Sequence, residues 1–398
     1  MKKIMVSILP NQFLKENGTF NLEEAMKLSG QIAGVCYDQE GFSHIQNESI
    51  EKTQTRIDTT TTYGHYSVYD HISVSLNIEN IPKILAMVLN NENQYTTSEK
   101  SARYTPIIQE DDSVITDQEA ILYNKWIDLF KIKITSQYGN IYNESKIQKL
   151  AQENARYLVT VFMPTKMIYT TTLRQINNIA IWMENYINTI NLDDHFSVKL
   201  AKSMQELIIE LKNKNLHDER LMKNDKNRKI SLFGDNINNI EEYFGFVYIT
   251  KYSGSLAQFA QAQRHRTLNY SLERTTDKQY YIPPIIADDQ ILVQEWLNDM
   301  KQVTSVTPQG EIVNISESGT YDKFILKCLE RLCGSAQKEI RDQTLASLRK
   351  YAQALKESNS TLYPEIEEYT HGARCTFPDY KCPSDCKNKE AKILTLKI

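Results

Sequence analysis

Long apolar runs are missing from this 398-residue sequence: none approaches the ~18 residues that a membrane-spanning helix requires. The opening, MKKIMVSILPNQF, is broken by a proline and is followed by no small-residue cleavage site, which predicts a first strand rather than a signal peptide. A formal net charge of only −4 argues against broad binding to nucleic acid. With 41% hydrophobic and 24% charged residues, the composition is typical of a globular protein of about two to three domains.

Cysteine is also scarce. Three of the six cysteines lie in the last 24 residues, which is not the dispersed pattern of a disulfide framework, so a reducing, cytoplasmic setting is expected. His371, Cys375, Cys382 and Cys386 could converge on a structural zinc ion, although their spacing is not a double C-x-x-C. The alternative is a set of reduced thiols on a C-terminal tail.

Strand-like and helical patterns occur twice in a similar order. The β-rich run EYFGFVYITKY leads into the helical SLAQFAQAQRHR, much as β-rich and helical runs alternate near the start of the chain. A later amphipathic pattern is expected to be bent or divided at Gly334. The prediction is an α+β protein of two diverged repeats, each a β-sheet flanked by helices. Its parts are a first repeat at 1–215, a polar linker at 216–230, a second repeat at 231–360 and a cysteine-rich tail at 361–398.

The segment YGHYSVYDH contains His65 and the adjacent pair Asp70 and His71. Two histidines with a carboxylate beside one of them could bind a metal ion, but the spacing fits no standard metal motif. A hydrogen-bonded histidine at the edge of a strand explains the pattern equally well.

The segment AQAQRHR concentrates cationic and hydrogen-bonding groups at one place. On a helix, Gln261 and Arg264 would lie one turn apart on the same face, with His265 beside them. Arginine presents a planar fork of donors that suits a phosphate or a pyrimidine carbonyl. The alternative is a solvated basic turn. The segment ERLCGSAQKEIR, with Arg331, carries charges whose helical spacing is usual for surface salt bridges.

Taken in order, GHYSVYDH, QAQRHR and the R-LCGS-AQKEIR segment resemble the hallmark segments of the flavin-dependent thymidylate synthases, the ThyX family. The resemblance covers most of the chain, as two copies that have lost different parts. The first copy keeps GHYSVYDH, with Asp70 in place of the family's glutamate, but reads VLNNEN where Q-x-x-R-H-R belongs. The second copy keeps QAQRHR but lacks the G-H-x-S segment, reads VTSVTP where A-R-x-x-L-P belongs, and has Asp322 in place of an arginine.

The resemblance implies roles for individual residues. Gln261 and Arg264 are assigned as catalytic residues that contact the uracil. Substrate binding is assigned to Arg331, Arg103, Ser101, Glu99 and Arg156. Cofactor binding is assigned to His65, His265, Arg266, Arg174 and Asn178.

It also implies the chemistry: NADPH reduces FAD, reduced FAD transfers a hydride, methylene-tetrahydrofolate supplies one carbon, and dUMP becomes dTMP. Family members are homotetramers whose sites draw on several subunits and use no cysteine nucleophile. The two copies would therefore form a pseudo-dimer within the chain, and a homodimer would act as a pseudo-tetramer with composite sites between repeats. No nucleic-acid or membrane partner is expected. Two alternatives stay open, a flavoprotein that acts on another uracil-type nucleotide and a catalytically dead scaffold that binds nucleotide or flavin.

Overall fold

The computed structural model describes residues 3–100, 115–222, 228–234, 240–378, 380–382 and 395–398. Its strands are β1 (Met5–Ile8), β2 (Ser73–Pro82), β3 (Thr96–Glu99), β4 (Pro164–Thr172), β5 (Tyr243–Phe244), β6 (Val247–Ser255), β7 (Asn269–Arg274) and β8 (Ile312–Thr320). Its helices are α1 (Leu22–Gly34), α2 (Phe42–Ile45), α3 (Ile50–Thr62), α4 (Lys83–Leu89), α5 (Asp117–Tyr138), α6 (Glu144–Ala155), α7 (Leu173–Ile187), α8 (His195–Asn213), α9 (Leu256–Ala262), α10 (Gln290–Gln302), α11 (Tyr321–Arg331), α12 (Lys338–Glu357) and α13 (Tyr363–Glu368). Among the described helices, none is long and apolar enough to cross a membrane.

The chain divides into two compact units, 1–100 with 164–235 and 101–163 with 236–398. Each unit contains one antiparallel sheet, and the strand orders are β1-β2-β4-β3 and β5-β6-β8-β7. The predicted mixed architecture of two sheets with flanking helices is therefore confirmed. In both sheets the strand order is the same when the strands are counted from the start of the unit.

The sheet of the first unit buries one face. Along β2, Val74, Leu76 and Ile78 are buried while Ser75 and Asn77 are half-buried, because side chains alternate across a pleated strand. Helices α7 and α8 cover the buried face, where a small cavity is lined by apolar side chains and the ring of Tyr169. The other face of β2 carries polar side chains.

The core of the second unit includes helices from the first half of the sequence. Trp126 of α5 packs edge-to-face on Trp296 of α10, with 4.7 Å between ring centroids. Asp299 of α10 accepts hydrogen bonds from the Trp126 indole at 2.8 Å and from the Lys125 ammonium group. The unit boundary therefore differs from the expected repeat boundary near residue 215, since these contacts hold 117–155 in the second unit.

The segment expected to be a polar linker, 216–230, is packed where the structure describes it. Leu216, Leu221 and Ile230 are fully buried, and the described part belongs to the first unit. Apolar residues interspersed among the charged ones supply these buried contacts, although the average composition of the segment is polar. The expected division at Gly334 is confirmed, because α11 ends at Arg331 and α12 begins at Lys338.

Candidate functional site

The arginine-rich segment lies at a sharp turn after a short helix. Strand β6 ends at Ser255, whose hydroxyl caps α9 by accepting a hydrogen bond from the Gln258 amide at 3.0 Å. After Ala262 the chain forms a single 3₁₀ turn and reverses at Arg266, whose φ of +56° is left-handed. A left-handed non-glycine residue is uncommon, and such strain is frequent at functional sites. We define the arginine turn as Arg264–Arg266.

The arginine turn presents its two guanidinium groups to solvent, since Arg264 and Arg266 are both exposed. The prediction that Gln261 and Arg264 share one helix face is wrong, because α9 ends at Ala262 and Gln261 is buried. The two arginines are therefore placed to meet an anion from solution, while Gln261 faces the protein interior.

Gln261 is held by two buried partners. Its side-chain amide donates to Oε1 of Gln337, and its main-chain carbonyl accepts a hydrogen bond from a guanidinium nitrogen of Arg331. Carbonyls in the last turn of a helix lack partners within the helix, so Arg331 satisfies one of them. The Gln261 Oε1 atom is buried with no hydrogen-bond partner among the described residues.

Gln337 connects this pair to a wider group of buried polar side chains. Its Oε1 also accepts a hydrogen bond from Arg156, and its amide nitrogen donates to the hydroxyl of Tyr157. That hydroxyl in turn donates to Oε2 of Glu339 at 2.8 Å. We call this group the buried network, and its members are Arg156, Tyr157, Ser255, Gln261, Arg331, Gln337 and Glu339.

The acidic member of the buried network, Glu339, is buried. Burial raises the pKa of Glu339, while hydrogen bonds from the Ser255 hydroxyl at 2.6 Å and amide at 2.9 Å favour the carboxylate and oppose that shift. Burial and the neighbouring Glu339 also raise the pKa of Tyr157 well above its usual range, so its hydroxyl stays a donor. The network therefore ties the start of α9 to the segment that opens α12.

The structure thus brings together three of the predicted site residues, Arg156, Gln261 and Arg331, as neighbours in the interior of the second unit. Tyr157 and Ser255 were not among the predicted site residues. A serine followed three residues later by glutamine is, however, a recognisable helix-start pattern that could have indicated Ser255.

The first unit contains a second group of predicted residues. The Arg174 guanidinium contacts Asp70 Oδ2 at 2.9 Å, and the Thr172 hydroxyl donates to Asp70 Oδ1 at 2.9 Å. Thr172 also caps α7 by accepting a hydrogen bond from the Gln175 amide at 3.1 Å. Asp70 therefore connects the end of β4 to the arginine at the start of α7.

The other predicted residues of the first unit take no part in the contact between Asp70 and Arg174. His65 is exposed, and its main-chain amide donates to the Thr60 carbonyl at 2.8 Å. Asn178, one turn after Arg174 on α7, has a buried Oδ1 with no partner among the described residues. Glu99 pairs with the Lys83 ammonium group at 2.5 Å. Ser101 and Arg103 lie outside the described residues, as does the side chain of His265.

The zinc prediction is not supported. Within the described part of the chain, no three histidine, cysteine or acidic side chains come together as a metal site, and this part includes His371, Cys375 and Cys382. Cys386 lies outside it. The same finding removes the metal interpretation of His65, Asp70 and His71, all of which are described.

Comparison with known proteins shows that part of the first half of the chain is similar to one family. Residues 20–182 match the family model Thy1, described as thymidylate synthase complementing protein. A flavin-dependent thymidylate synthase of Pyrococcus furiosus is 27% identical over 150 residues, which are 36% of this chain and 57% of that relative. The corresponding enzyme of Pyrococcus abyssi is 24% identical over the same shares. The chain thus spans little more than half the length of these relatives.

Among solved structures, thymidylate synthase X from Helicobacter pylori with FAD and dUMP aligns with 55% of this chain and all of its own, at 14% identity and a TM-score of 0.32. A likeness at this level does not bear on the fold, so the sequence match is the finding that counts. Through residues 20–182, this chain is similar to the flavin-dependent thymidylate synthases, the ThyX family.

Proposed function

We propose that this chain is a flavin-dependent thymidylate synthase, which converts dUMP to dTMP with FAD, NADPH and methylene-tetrahydrofolate. The family match of residues 20–182 is the observation that carries the proposal. The arginine turn lies outside the matched residues and supports the proposal independently, because two exposed guanidinium groups offer forked donors to a phosphate or a uracil carbonyl.

We further propose that the chain is a tandem duplication. Strands β2 and β6 each end at the cap of a seven-residue helix, at Pro82 and Ser255. The register of their central pairs also agrees, since Ser73 lies opposite Thr172 and Val247 opposite Thr320. Counting from these two strand–helix junctions aligns 88–93 with 261–266. The sequence motifs give the same correspondence, VLNNEN with QAQRHR. A homodimer that acts as a pseudo-tetramer remains a prediction, and light scattering that finds a stable monomer would count against it.

The flavin fits the donor groups of the first unit. Arg174 is partly exposed, and the buried Asn178 Oδ1 one turn later has no described partner, as expected of an atom that meets a ligand. Arg174, Asn178 and the exposed His65 would hold the cofactor. A bound reduced flavin would supply the hydride.

The second unit would bind the nucleotide. Arg264 provides positive charge and donors where negative charge develops on the uracil carbonyl. His265 and Arg266, which follow it in the arginine turn, stay assigned to the flavin. The buried network would act through Gln261: Arg331 and Gln337 fix its main chain and side chain, so the turn that follows is held in place before substrate arrives. Arg156 would act through Gln337, as a positioning residue. Glu99, Ser101 and Arg103 remain predicted substrate-binding residues.

The proposal is tested by tritium release from C5-labelled dUMP in the presence of FAD, NADPH and methylene-tetrahydrofolate. Release at a rate proportional to protein is the expected result. Protein that carries flavin but releases no tritium would indicate another uracil-type nucleotide. Protein that neither binds flavin nor releases tritium would contradict the proposal and leave a scaffold role.

Asp70→Asn is expected to weaken FAD binding by about three- to tenfold, because an amide cannot hold the Arg174 guanidinium as a carboxylate does. Fluorescence titration of the apoprotein with FAD measures the effect. Asp193→Asn, which changes an exposed aspartate in the loop before α8, is the matched control and should bind FAD as the wild type does. Equal affinity in both variants would show that Asp70 does not position Arg174 for the flavin.

A further inference from the structure

The turn of the first unit that corresponds to the arginine turn has the opposite charge. Helix α4 and helix α9 each have seven residues and each follow a central strand directly. Counting from the helix starts places Asn91, Glu92 and Asn93 where Arg264, His265 and Arg266 stand. We call residues 91–93 the acidic turn.

The acidic turn is not open to solvent at its centre. The Glu92 side chain is only 2% exposed, and its carboxylate pairs with the Arg228 guanidinium at 2.6 Å. The same carboxylate accepts a second guanidinium hydrogen bond at 3.3 Å and one from the Ser231 amide at 2.6 Å. A buried carboxylate with three donors is fully engaged within its own chain.

Arg228 is fixed on its other sides as well. Its guanidinium lies over the Trp182 ring of α7, with 3.4 Å between the guanidinium carbon and the ring centroid. The Asn185 amide, one turn further along α7, donates to the Arg228 carbonyl at 2.8 Å. Asn91 of the acidic turn donates to the Ser231 hydroxyl at 2.8 Å. Residues 228–231 are thus fastened both to the acidic turn and to α7.

We infer that the acidic turn is an internal guanidinium-binding site occupied by Arg228, and that the chain therefore keeps one nucleotide-binding turn per polypeptide. The inference rests on the proposed function of the arginine turn. The only guanidinium beside the acidic turn among the contacts described is already paired with Glu92, and residues 228–231 occupy Glu92 and the Asn91 amide, so the turn has no cation to offer a phosphate. The VLNNEN segment is thus an anchor for the chain that follows α8.

The number of bound nucleotides tests the inference. Equilibrium dialysis of the flavin-loaded full chain with radiolabelled dUMP is expected to give one dUMP per polypeptide, and two per polypeptide would overturn the inference. Arg264→Ala separates the two proposals, since it should remove this binding. One dUMP that Arg264→Ala does not weaken would instead contradict the proposed role of the arginine turn.

A second measurement addresses the anchor directly. Glu92→Gln keeps the shape of the side chain but removes its charge, so amide hydrogen exchange in residues 228–231 should accelerate by about tenfold while dUMP binding stays unchanged. Glu184→Gln, on a half-buried glutamate of α7, is the matched control. Unchanged exchange in Glu92→Gln, or a loss of dUMP binding, would contradict the inference.

Arg228→Lys covers the case in which Glu92→Gln does not fold. Lysine keeps the charge but lacks the planar fork and the stacking surface, so it should accelerate exchange in 228–231 less than tenfold and leave one dUMP per polypeptide. An exchange rate equal to that of the wild type would show that the guanidinium group is not what holds the segment.

Discussion

Arg264→Ala is expected to lower the rate of tritium release from dUMP by about 100- to 1000-fold, the usual effect of removing one donor from a site of developing negative charge. Arg264 is exposed and lies in a turn fixed by other residues, so the variant should fold normally. The loss should appear in kcat as well as in KM, because a contact to the uracil carbonyl strengthens as charge develops there. A contact to the phosphate alone would raise KM and leave kcat unchanged.

Two further variants make this result specific. Arg349→Ala removes an exposed arginine of α12 that belongs neither to the arginine turn nor to the buried network, so it should keep the wild-type rate to within about twofold. Arg264→Lys keeps the charge without the fork and should fall between the two. If Arg264→Ala keeps more than a tenth of the wild-type rate, the arginine turn is not the uracil site.

Local patterns in the sequence predicted the elements around the arginine turn. The run EYFGFVYITKY forms β5 and most of β6, and the run SLAQFAQAQRHR forms α9 and the turn. Both predictions hold because the alternation of a strand and the serine that caps a helix each depend only on a few neighbouring residues. The break at Gly334, between α11 and α12, likewise depends on the residues next to it.

Contacts between distant residues could not be predicted in this way. Asp70 and Arg174 were each identified from a motif, but their pairing depends on the register that sets Ser73 opposite Thr172. Likewise, Trp126 meets Trp296 across 170 positions of sequence, a contact that no local pattern indicates. The inward orientation of Gln261 follows from the end of α9 at Ala262, and helix ends are the least certain part of a pattern-based prediction.

The two units also differ at one pair of equivalent buried positions, which is charged in the second unit and uncharged in the first. In the second unit, Glu317 of β8 and Lys327 of α11 form an ion pair at 2.5 Å, with side chains 0% and 1% exposed. The hydroxyls of Tyr248 and Tyr252 each donate to the Glu317 carboxylate at 2.8 Å. Counting from the strand–helix junctions, the equivalent positions of the first unit are Tyr169 and Ile179, which line its cavity.

Lys327→Met is therefore expected to cost about 3–5 kcal/mol in the free energy of unfolding, because it leaves a buried carboxylate without its countercharge. For a unit of this size that loss lowers Tm by roughly 6–20 °C, which calorimetry of the full chain can measure. The double variant Lys327→Met/Glu317→Leu should recover only part of the loss, since it removes the unpaired charge but leaves the Tyr248 and Tyr252 hydroxyls without their acceptor. The first unit folds the same strand order over an uncharged pair, Tyr169 and Ile179, and there the tyrosine hydroxyl donates to the Leu89 carbonyl. If Lys327→Met is as stable as the wild type, the two tyrosine hydroxyls alone satisfy Glu317, and the expected loss is contradicted.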